Sequence, residues 1–253
     1  MYAPLMEFIR AAAADTDFFC LQEIFDSPEK NRTVSWGGRA AIYQDLCAAL
    51  PDFTPYYAVA VKNFDGDNAT DATDFPLTHG IAIFARKNIA ILSHGDFFIA
   101  GENWQGPGTS DIFPHKFQYV RFEKNGTPYT LAHLHGIASP GTKRDTPERI
   151  TQSQKIIDFL AGETGAKILG GDFNLLPDTE SIRMIENIGM RNLITDFTIK
   201  TTRNQLSYGQ YPEAERQYFA DFAFVSSAIR VTDFHVPQIE ISDHLPLVLT
   251  CQL

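Results

Sequence analysis

Cysteine is scarce in this 253-residue sequence, which contains only Cys20, Cys47 and Cys251. An odd number of widely spaced cysteines excludes a disulfide scaffold and offers no zinc-binding pattern. Each cysteine stands among apolar neighbours, which predicts buried structural thiols. The lack of a paired cysteine motif also favours a reducing compartment, so we expect a cytoplasmic protein.

Positive charge is scarce as well. The 21 Lys and Arg residues are outnumbered by 31 Asp and Glu residues, which gives a formal net charge of −10 and a pI of about 5.1. Proteins that coat nucleic acid or bind anionic membranes favour a basic surface. The charge balance therefore argues against both functions, although a local basic patch stays open.

Long apolar runs are missing too. No run approaches the roughly 20 residues that cross a bilayer, and no basic segment precedes an apolar one near residue 1. We therefore predict neither a transmembrane segment nor a signal peptide. What is present is an ordinary globular composition, 44% hydrophobic and 21% charged. No repeat or change in composition divides the chain, so we predict one domain over residues 1–253.

The apolar patterns predict more strands than helices, with helices lying between groups of strands. Asn125-Gly126 between two alternating apolar runs predicts a β-hairpin. Thr146-Pro147-Glu148 predicts the start of a helix, with Thr as the N-cap and Pro in the first turn. This order of elements is typical of a layered α/β (α+β) sandwich with one continuous core.

Four short motifs place polar residues directly at predicted strand ends, where a rigid sheet presents side chains to a shared cleft. They are Leu21-Gln22-Glu23, His133-Leu134-His135-Gly136, Gly171-Asp172-Phe173-Asn174 and Ser242-Asp243-His244. Asp172 and Asn174 are two residues apart, so they would point to the same side of an extended backbone. A carboxylate and an amide there could hold a water molecule. The alternative is an Asx-turn that leaves the strand.

The other three motifs each have a functional and a structural interpretation. Glu23 would suit a hard cation such as Mg²⁺, or it is a surface acid at a strand end. Asp243 and His244 are adjacent, so only a turn would bring both to one cleft. His133 and His135 share a face, but no third His or Cys lies nearby to complete a zinc site. For one of these two histidines we favour a role as hydrogen-bond donor to phosphate. For the other we favour a buried position in which its hydrogen bonds are made within the protein.

Taken together and in this order, the four motifs resemble those of the endonuclease/exonuclease/phosphatase superfamily. The resemblance runs from about residue 18 to residue 249, and residues 80–86 resemble the family's central Gly-rich strand. Residues 221–226 resemble its Asp-Tyr-Ile-Phe strand, although Phe219-Ala220 replaces the usual Arg-Ile. The resemblance implies the DNase I-like fold, a four-layer sandwich of two packed, mostly antiparallel sheets flanked by helices.

The resemblance also implies roles for the metal and the attacking water. Glu23 would be the principal Mg²⁺ ligand, and Asp243 would support the metal site, with Mn²⁺ as the alternative ion. Asp172 would bind or deprotonate the attacking water, and Asn174 would orient that water or the phosphate. The implied function is Mg²⁺-dependent, nuclease-type hydrolysis of a phosphodiester.

Three further residues would contact or support the phosphate. His135 takes the place of the family's phosphate-binding histidine, and His244 would contact the scissile phosphate while Asp221 fixes its tautomer. We expect a phosphate-ester substrate, with nucleic acid as a candidate, and a monomeric enzyme. A lipid or inositol-phosphate phosphoesterase and a catalytically silent phosphate-binding protein are the alternatives.

The sequence leaves open the role of three basic residues and raises a question about the first strand. Lys143, Arg144 and Arg149 follow the histidine motif and could grip a phosphate, or they could belong to a solvated loop and helix start. The family's usual first strand, which ends in an Asn, has no room before the helix predicted at Pro4, so the sequence looks like a fragment or a misplaced start. We therefore expect a vacant strand position beside the strand predicted at residues 18–23.

Overall fold

The computed structural model describes residues 2–34, 37–66, 72–107 and 111–253. Its helices are α1 (Tyr2–Ala12), α2 (Ile42–Ala49), α3 (Pro147–Gly162), α4 (Glu180–Asn187), α5 (Leu193–Asp196) and α6 (Gln205–Tyr208). Its strands are β1 (Phe18–Asp26), β2 (Phe53–Lys62), β3 (Thr78–Arg86), β4 (Ile91–Ala100), β5 (His115–Lys124), β6 (Thr127–His135), β7 (Ala166–Asp172), β8 (Met190–Asn192), β9 (Asp221–Ser226), β10 (Arg230–His235) and β11 (Val248–Gln252). No described helix is long and apolar enough to span a membrane.

The strands form two packed sheets and a separate pair. The larger sheet has the order β4-β5-β6-β7-β9-β8, the smaller has the order β1-β3-β2, and β10 pairs with β11. The assigned pairings are antiparallel except that between β6 and β7. This arrangement confirms the predicted mixed α/β sandwich of two mostly antiparallel sheets.

Strand β3 shows how the layers stack, because it is buried on both faces. Ile83 packs into the core cluster that contains Phe117 and Phe222 of the larger sheet. Its neighbour Phe84 points the other way and packs with Leu46 of α2 and with α1. Side chains alternate along a strand, so one face of the small sheet is covered by the large sheet and the other by helices. Helices α3 and α4 pack in turn against the large sheet.

The two local predictions for turns and caps are confirmed. Asn125 and Gly126 have φ of 55° and 74°, as the tight hairpin turn between β5 and β6 requires. The Thr146 side chain accepts a hydrogen bond from the Arg149 backbone N–H at 3.2 Å, and Pro147 begins α3. A hydroxyl at this position satisfies one of the backbone donors that a helix start leaves free.

Strand β1 lies at the edge of the small sheet, and a vacant strand position beside it stays a prediction. Within the described ranges, β1 pairs with β3 alone and β11 pairs with β10 alone. Cys20 of β1 and Cys251 of β11 are half-buried thiols that pack against the same core cluster. The free edges of β1 and β11 therefore border one core, and both cysteines lie closer to the surface than predicted.

Buried Arg149 holds the loop that follows β6. Its guanidinium donates to the carbonyl oxygens of Ile137, Ala138, Pro140 and Arg144 at 2.7–3.2 Å. The residue is fully buried, so these carbonyls would lose their partners without it. The interpretation of Arg149 as a phosphate-binding residue is therefore wrong, since its donors are already used within the fold.

We predict that Arg149→Met destabilises the protein. Each buried carbonyl left without a donor costs about 1–3 kcal/mol, and partial hydration of the loop would reduce the total to roughly 3 kcal/mol. For a chain of this size we expect the melting temperature to fall by about 6–12 °C. Thermal denaturation followed by circular dichroism would measure the change. Arg144→Met, which removes an exposed side chain of the same loop, should leave the melting temperature unchanged, and equal stability of the two variants would contradict the prediction.

Candidate active site

Glu23 reaches the cleft through an irregularity in β1. The register between β1 and β3 shifts between Leu21 and Ile24, and Glu23 has a left-handed backbone with φ of 54°. A left-handed non-glycine residue is strained, and such strain is concentrated at functional sites. The bulge turns the carboxylate into a cavity of about 380 Å³ between the two sheets.

The end of β7 places Asp172 and Asn174 in the same cavity. The Asn174 backbone N–H donates to Asp172 Oδ1 at 2.7 Å, and Asn174 has φ of 54°. This is the Asx-turn alternative, so the expectation of two side chains on one face of an extended strand is wrong. The turn nevertheless brings the carboxylate and the amide together.

Gly171 allows this turn to lie against β6. Its φ is 128°, and a Cβ added there would lie 2.3 Å from the Leu134 carbonyl oxygen. Only glycine tolerates both the backbone conformation and the close approach. Gly170 is under no such constraint, because the nearest atom to an added Cβ is 3.5 Å away. Of the two glycines in the motif, Gly171 is thus the one that the site requires.

Asp172 faces two imidazoles. Its Oδ2 lies 3.8 Å from His135 Nε2 and 3.9 Å from His244 Nε2. Burial acts to raise the pKa of Asp172, but the positive charges of His244 and Lys143 outweigh it and hold the pKa below its usual value. Asp172 is therefore an ionised carboxylate at neutral pH, with the second oxygen directed toward hydrogen-bond donors.

Asp221 and His244 form the second half of the site. Asp221 opens β9 as the register partner of Asp172, and its Oδ2 lies 2.8 Å from His244 Nδ1. This hydrogen bond directs His244 Nε2 toward Asp172 and Asp243. Burial alone would lower the pKa of His244, but the charges of Asp221 and Asp172 raise it to about 10.

Residues 201–204 hold His244 in place, and the sequence motifs do not predict this role. Thr202 accepts hydrogen bonds at Oγ1 from the backbone N–H groups of Ala220 and Asp221, and its carbonyl accepts from Leu245 N. Arg203 forms a backbone bridge with His244. The one available signal is a short polar run, Thr-Thr-Arg-Asn at 201–204, and such a run is also typical of surface loops.

His133 lies outside the cavity and is fully buried. Its Nδ1 is 2.9 Å from Gln22 Nε2, and its Nε2 is 2.9 Å from Gln118 Oε1. Gln118 in turn donates to the Tyr56 carbonyl at 2.9 Å. His133 is thus the satisfied buried histidine of the two, and it links the small sheet to the large sheet.

The carboxylates of Glu23 and Asp243 fit a divalent cation. Both side chains are half exposed to solvent, and both line the cavity. Desolvation raises the pKa of Glu23. The charges of His135 and His244 oppose this effect, while those of Asp243 and Asp172 add to it. A hard cation bound among these oxygens would relieve the repulsion, and Mg²⁺ prefers such ligands. Ligand atoms of Asp172, Asp221 and His244 also lie within 4.8 Å of one another, but the hydrogen bond between Asp221 and His244 accounts for that group.

The rest of the cavity is lined by apolar groups, neutral rings, basic side chains and Asp65. Burial lowers the pKa values of His79 and His115 to about 3, so both are uncharged. Lys143 and Arg203 also line the cavity. Arg144 instead turns outward, with Nη1 2.6 Å from both carboxylate oxygens of Asp178.

The cavity therefore collects the predicted residues from distant parts of the chain. The predicted residues that line it are Glu23, His135, Asp172, Asn174, Asp243 and His244. Asp221 lies behind His244, to which it is bonded. The arrangement offers a base for water, imidazole and amide donors for an anion, and carboxylates for a cation.

One family of known proteins is similar to this chain in sequence and fold. A model of the endonuclease/exonuclease/phosphatase family matches residues 2–244. No curated protein matches the sequence. Among solved structures, the mannosyl-6-phosphatase Bt3783 of Bacteroides thetaiotaomicron VPI-5482 has 19% identity and a TM-score of 0.64, with 100% of this chain and 91% of that chain covered.

Two other solved structures have the same fold. A family protein from Leptotrichia buccalis C-1013-b has 14% identity and a TM-score of 0.72, covering 100% of this chain and 94% of that chain. TDP2 of D. rerio, solved with a single-strand DNA product, has 13% identity and a TM-score of 0.62, with coverage of 99% and 92%. At these identities the likeness shows the fold alone.

We predict that His244 makes the stability of the chelator-treated protein depend on pH. The pKa of about 10 in the folded protein lies above the value of about 6.5 expected in the unfolded chain. The stabilisation is therefore fully present below the lower value and is lost as pH rises through the higher one. Urea denaturation at several pH values in EDTA would show a steeper loss for the wild type than for His244→Gln. Equal slopes would show that the imidazole is not held protonated by Asp221 and Asp172.

Proposed function

The chain belongs to the endonuclease/exonuclease/phosphatase family, whose members are hydrolases acting on phosphate esters, and we propose that it hydrolyses its ester by Mg²⁺-dependent attack of water. The observation that carries this proposal is the convergence of Asp172, Asn174, His135 and His244 on one cavity that also contains two half-exposed carboxylates. A monomeric enzyme stays a prediction from the sequence.

Asp172 is proposed as the group that receives the proton of the attacking water. It is ionised, because its pKa is held below the usual value, and its Oδ1 is occupied by the Asn174 N–H. The other oxygen is left to accept a proton. Asn174 is fixed as well, since its Nδ2 donates to the Gly136 carbonyl at 3.1 Å. A base held in a defined position next to its water is what general-base catalysis requires.

His135 and His244 are proposed to hold the phosphate. Asp221 accepts from Nδ1 of His244, so Nε2 of this imidazole carries a proton toward the cavity when the ring is charged. His135 presents its Nε2 on the other side of Asp172. Donors aimed at the non-bridging oxygens stabilise the charge that develops there during attack.

Glu23 and Asp243 are proposed to hold the metal ion, with Mn²⁺ as an alternative to Mg²⁺. When bound, such an ion would neutralise phosphate charge and stabilise the leaving oxygen. The two side chains are half exposed, which leaves room for the water molecules that Mg²⁺ retains.

The proposal so far does not specify which class of phosphate ester the enzyme hydrolyses. Nuclease-type cleavage of a phosphodiester, the prediction from the sequence, stays a prediction, as do the lipid and inositol-phosphate alternatives. Solved neighbours include a protein named as a mannosyl-6-phosphatase and one bound to single-strand DNA. The net charge of −10 and the position of Asp65 beside the cavity argue against tight binding of duplex DNA.

We predict that Asp172→Asn and His244→Ala each lower kcat by about 10²–10⁴-fold, the usual effect of removing one proton-transfer or charge-stabilising group. Release of phosphate or alcohol from a panel of phosphate esters, with Mg²⁺ and with EDTA, would measure the loss. The control Asp178→Asn changes an exposed carboxylate outside the cavity and should keep full activity. Unchanged turnover in both cavity variants would favour the phosphate-binding alternative.

A further inference from the structure

Lys143 is a buried cation that forms no salt bridge with any described residue. Its side chain is 6% exposed, and its Nζ donates to Oδ1 of the neutral Asn174 amide. Burial lowers the pKa of Lys143, although the charge of Asp172 opposes this effect. Asp172 and Asp221 compensate part of this charge, but neither carboxylate forms an ion pair with the ammonium. Burial without such a pair is energetically unfavourable, so we expect a bound anion to contact Lys143.

The backbone of Lys143 is strained and firmly held. Its φ of 53° is left-handed, which is unfavourable for a long side chain. Its carbonyl accepts from Leu176 N at 2.9 Å, and the loop before it is tied to Arg149. The fold therefore presents this ammonium to the cavity on a rigid support, whereas the neighbouring Arg144 points away.

Arg203 is a second cation with unused donors on the same cavity. Its Nε is buried and has no hydrogen-bond partner among the described residues, and its Nη1 donates a long hydrogen bond to the Gln217 carbonyl at 3.4 Å. Arg203 forms no salt bridge with a described residue, and its charge acts on Lys143. A guanidinium carries five donors suited to phosphate oxygens.

We propose that Lys143 and Arg203 form an anion subsite for the outer oxygens of a terminal phosphate, so that the substrate is a phosphate monoester. This inference rests on the proposed function and narrows it. A diester phosphate carries one negative charge, whereas a terminal phosphate carries nearly two at neutral pH. Glu23, Asp172, Asp221 and Asp243 carry four negative charges, which outweigh one divalent ion together with the protonated His244. A dianion would be repelled from such a cavity unless additional fixed cations were present.

In this proposal the two cations would lie where the second alcohol of a diester would extend. With the phosphate between His135 and His244, the terminal oxygens would meet Lys143 and Arg203, and the alcohol would extend toward the neutral wall. That wall contains His79, His115 and Phe113, whose rings pack together along the cavity.

The test compares p-nitrophenyl phosphate with bis(p-nitrophenyl) phosphate, which share a leaving group. We expect the wild type to prefer the monoester. Lys143→Met and Arg203→Met should each lower kcat/KM for the monoester by about 10–100-fold, the worth of one charge-assisted hydrogen bond. The rate for the diester should change by less than about threefold. Arg144→Met, an exposed neighbour on the same loop, should behave as the wild type.

Lys143→Gln separates charge from positioning, because it keeps a donor for Asn174 and loses the positive charge. If Lys143→Gln hydrolyses the monoester as fast as the wild type does, the proposal is overturned and Lys143 is a positioning residue. Equal losses on both esters, or a wild type that prefers the diester, would also overturn it.

A binding measurement keeps the subsite testable if neither ester is turned over. Calorimetric titration with inorganic phosphate should show at least about tenfold weaker binding for Lys143→Met and Arg203→Met than for the wild type and Arg144→Met. Weaker phosphate binding in these two variants, with neither ester hydrolysed by the wild type, would support the subsite and count against the proposed hydrolysis. Phosphate binding that is the same in all variants, or undetectable in the wild type, would overturn the subsite.

Discussion

Asp172 and Asp221 are buried register partners on neighbouring strands, and the site depends on the imidazole that lies against both. Two carboxylates opposite each other in a sheet repel, and burial strengthens the repulsion. His244 lies 2.8 Å from Asp221 and 3.9 Å from Asp172. The positive charge of its protonated ring therefore offsets the repulsion between the two carboxylates. Thr202 holds this arrangement by joining the start of β9 to the chain around His244.

The same cleft concentrates backbone strain. Glu23, Lys143 and Asn174 all have left-handed φ values, and all three line the cavity. Each is fixed by its surroundings: a bulge in β1 for Glu23, the loop around Arg149 for Lys143, and an Asx-turn for Asn174. Strain of this kind persists only where neighbouring contacts determine the conformation. The result is a set of polar groups that need little reorganisation to bind an anion and a cation.

Rigid elements account for most of the positioning. Asp172 and Asp221 stand at the ends of paired strands, and His135 ends β6 beside Asp172. The buried bridge from Gln22 through His133 to Gln118 fixes the two sheets relative to each other. Glu23 on the small sheet and Asp172 on the large sheet are thereby held at one cavity, whereas Asp243 lies on the segment between β10 and β11.

The sequence by itself determined the fold class, the hairpin at Asn125-Gly126, the capped start of α3 and the strand ends at His135 and Asp172, because each depends on a short local pattern. The strand ends predicted at Glu23 and at Asp243-His244 are wrong, since Glu23 lies inside β1 and His244 precedes β11. Strand β4 is not predicted, since its polar positions obscure the alternation. Lys143, Arg144 and Arg149 look equivalent in the sequence. Only the tertiary structure decided that one enters the cavity, one faces solvent and one supports the loop, because these outcomes depend on carbonyls and carboxylates contributed by other segments of the fold.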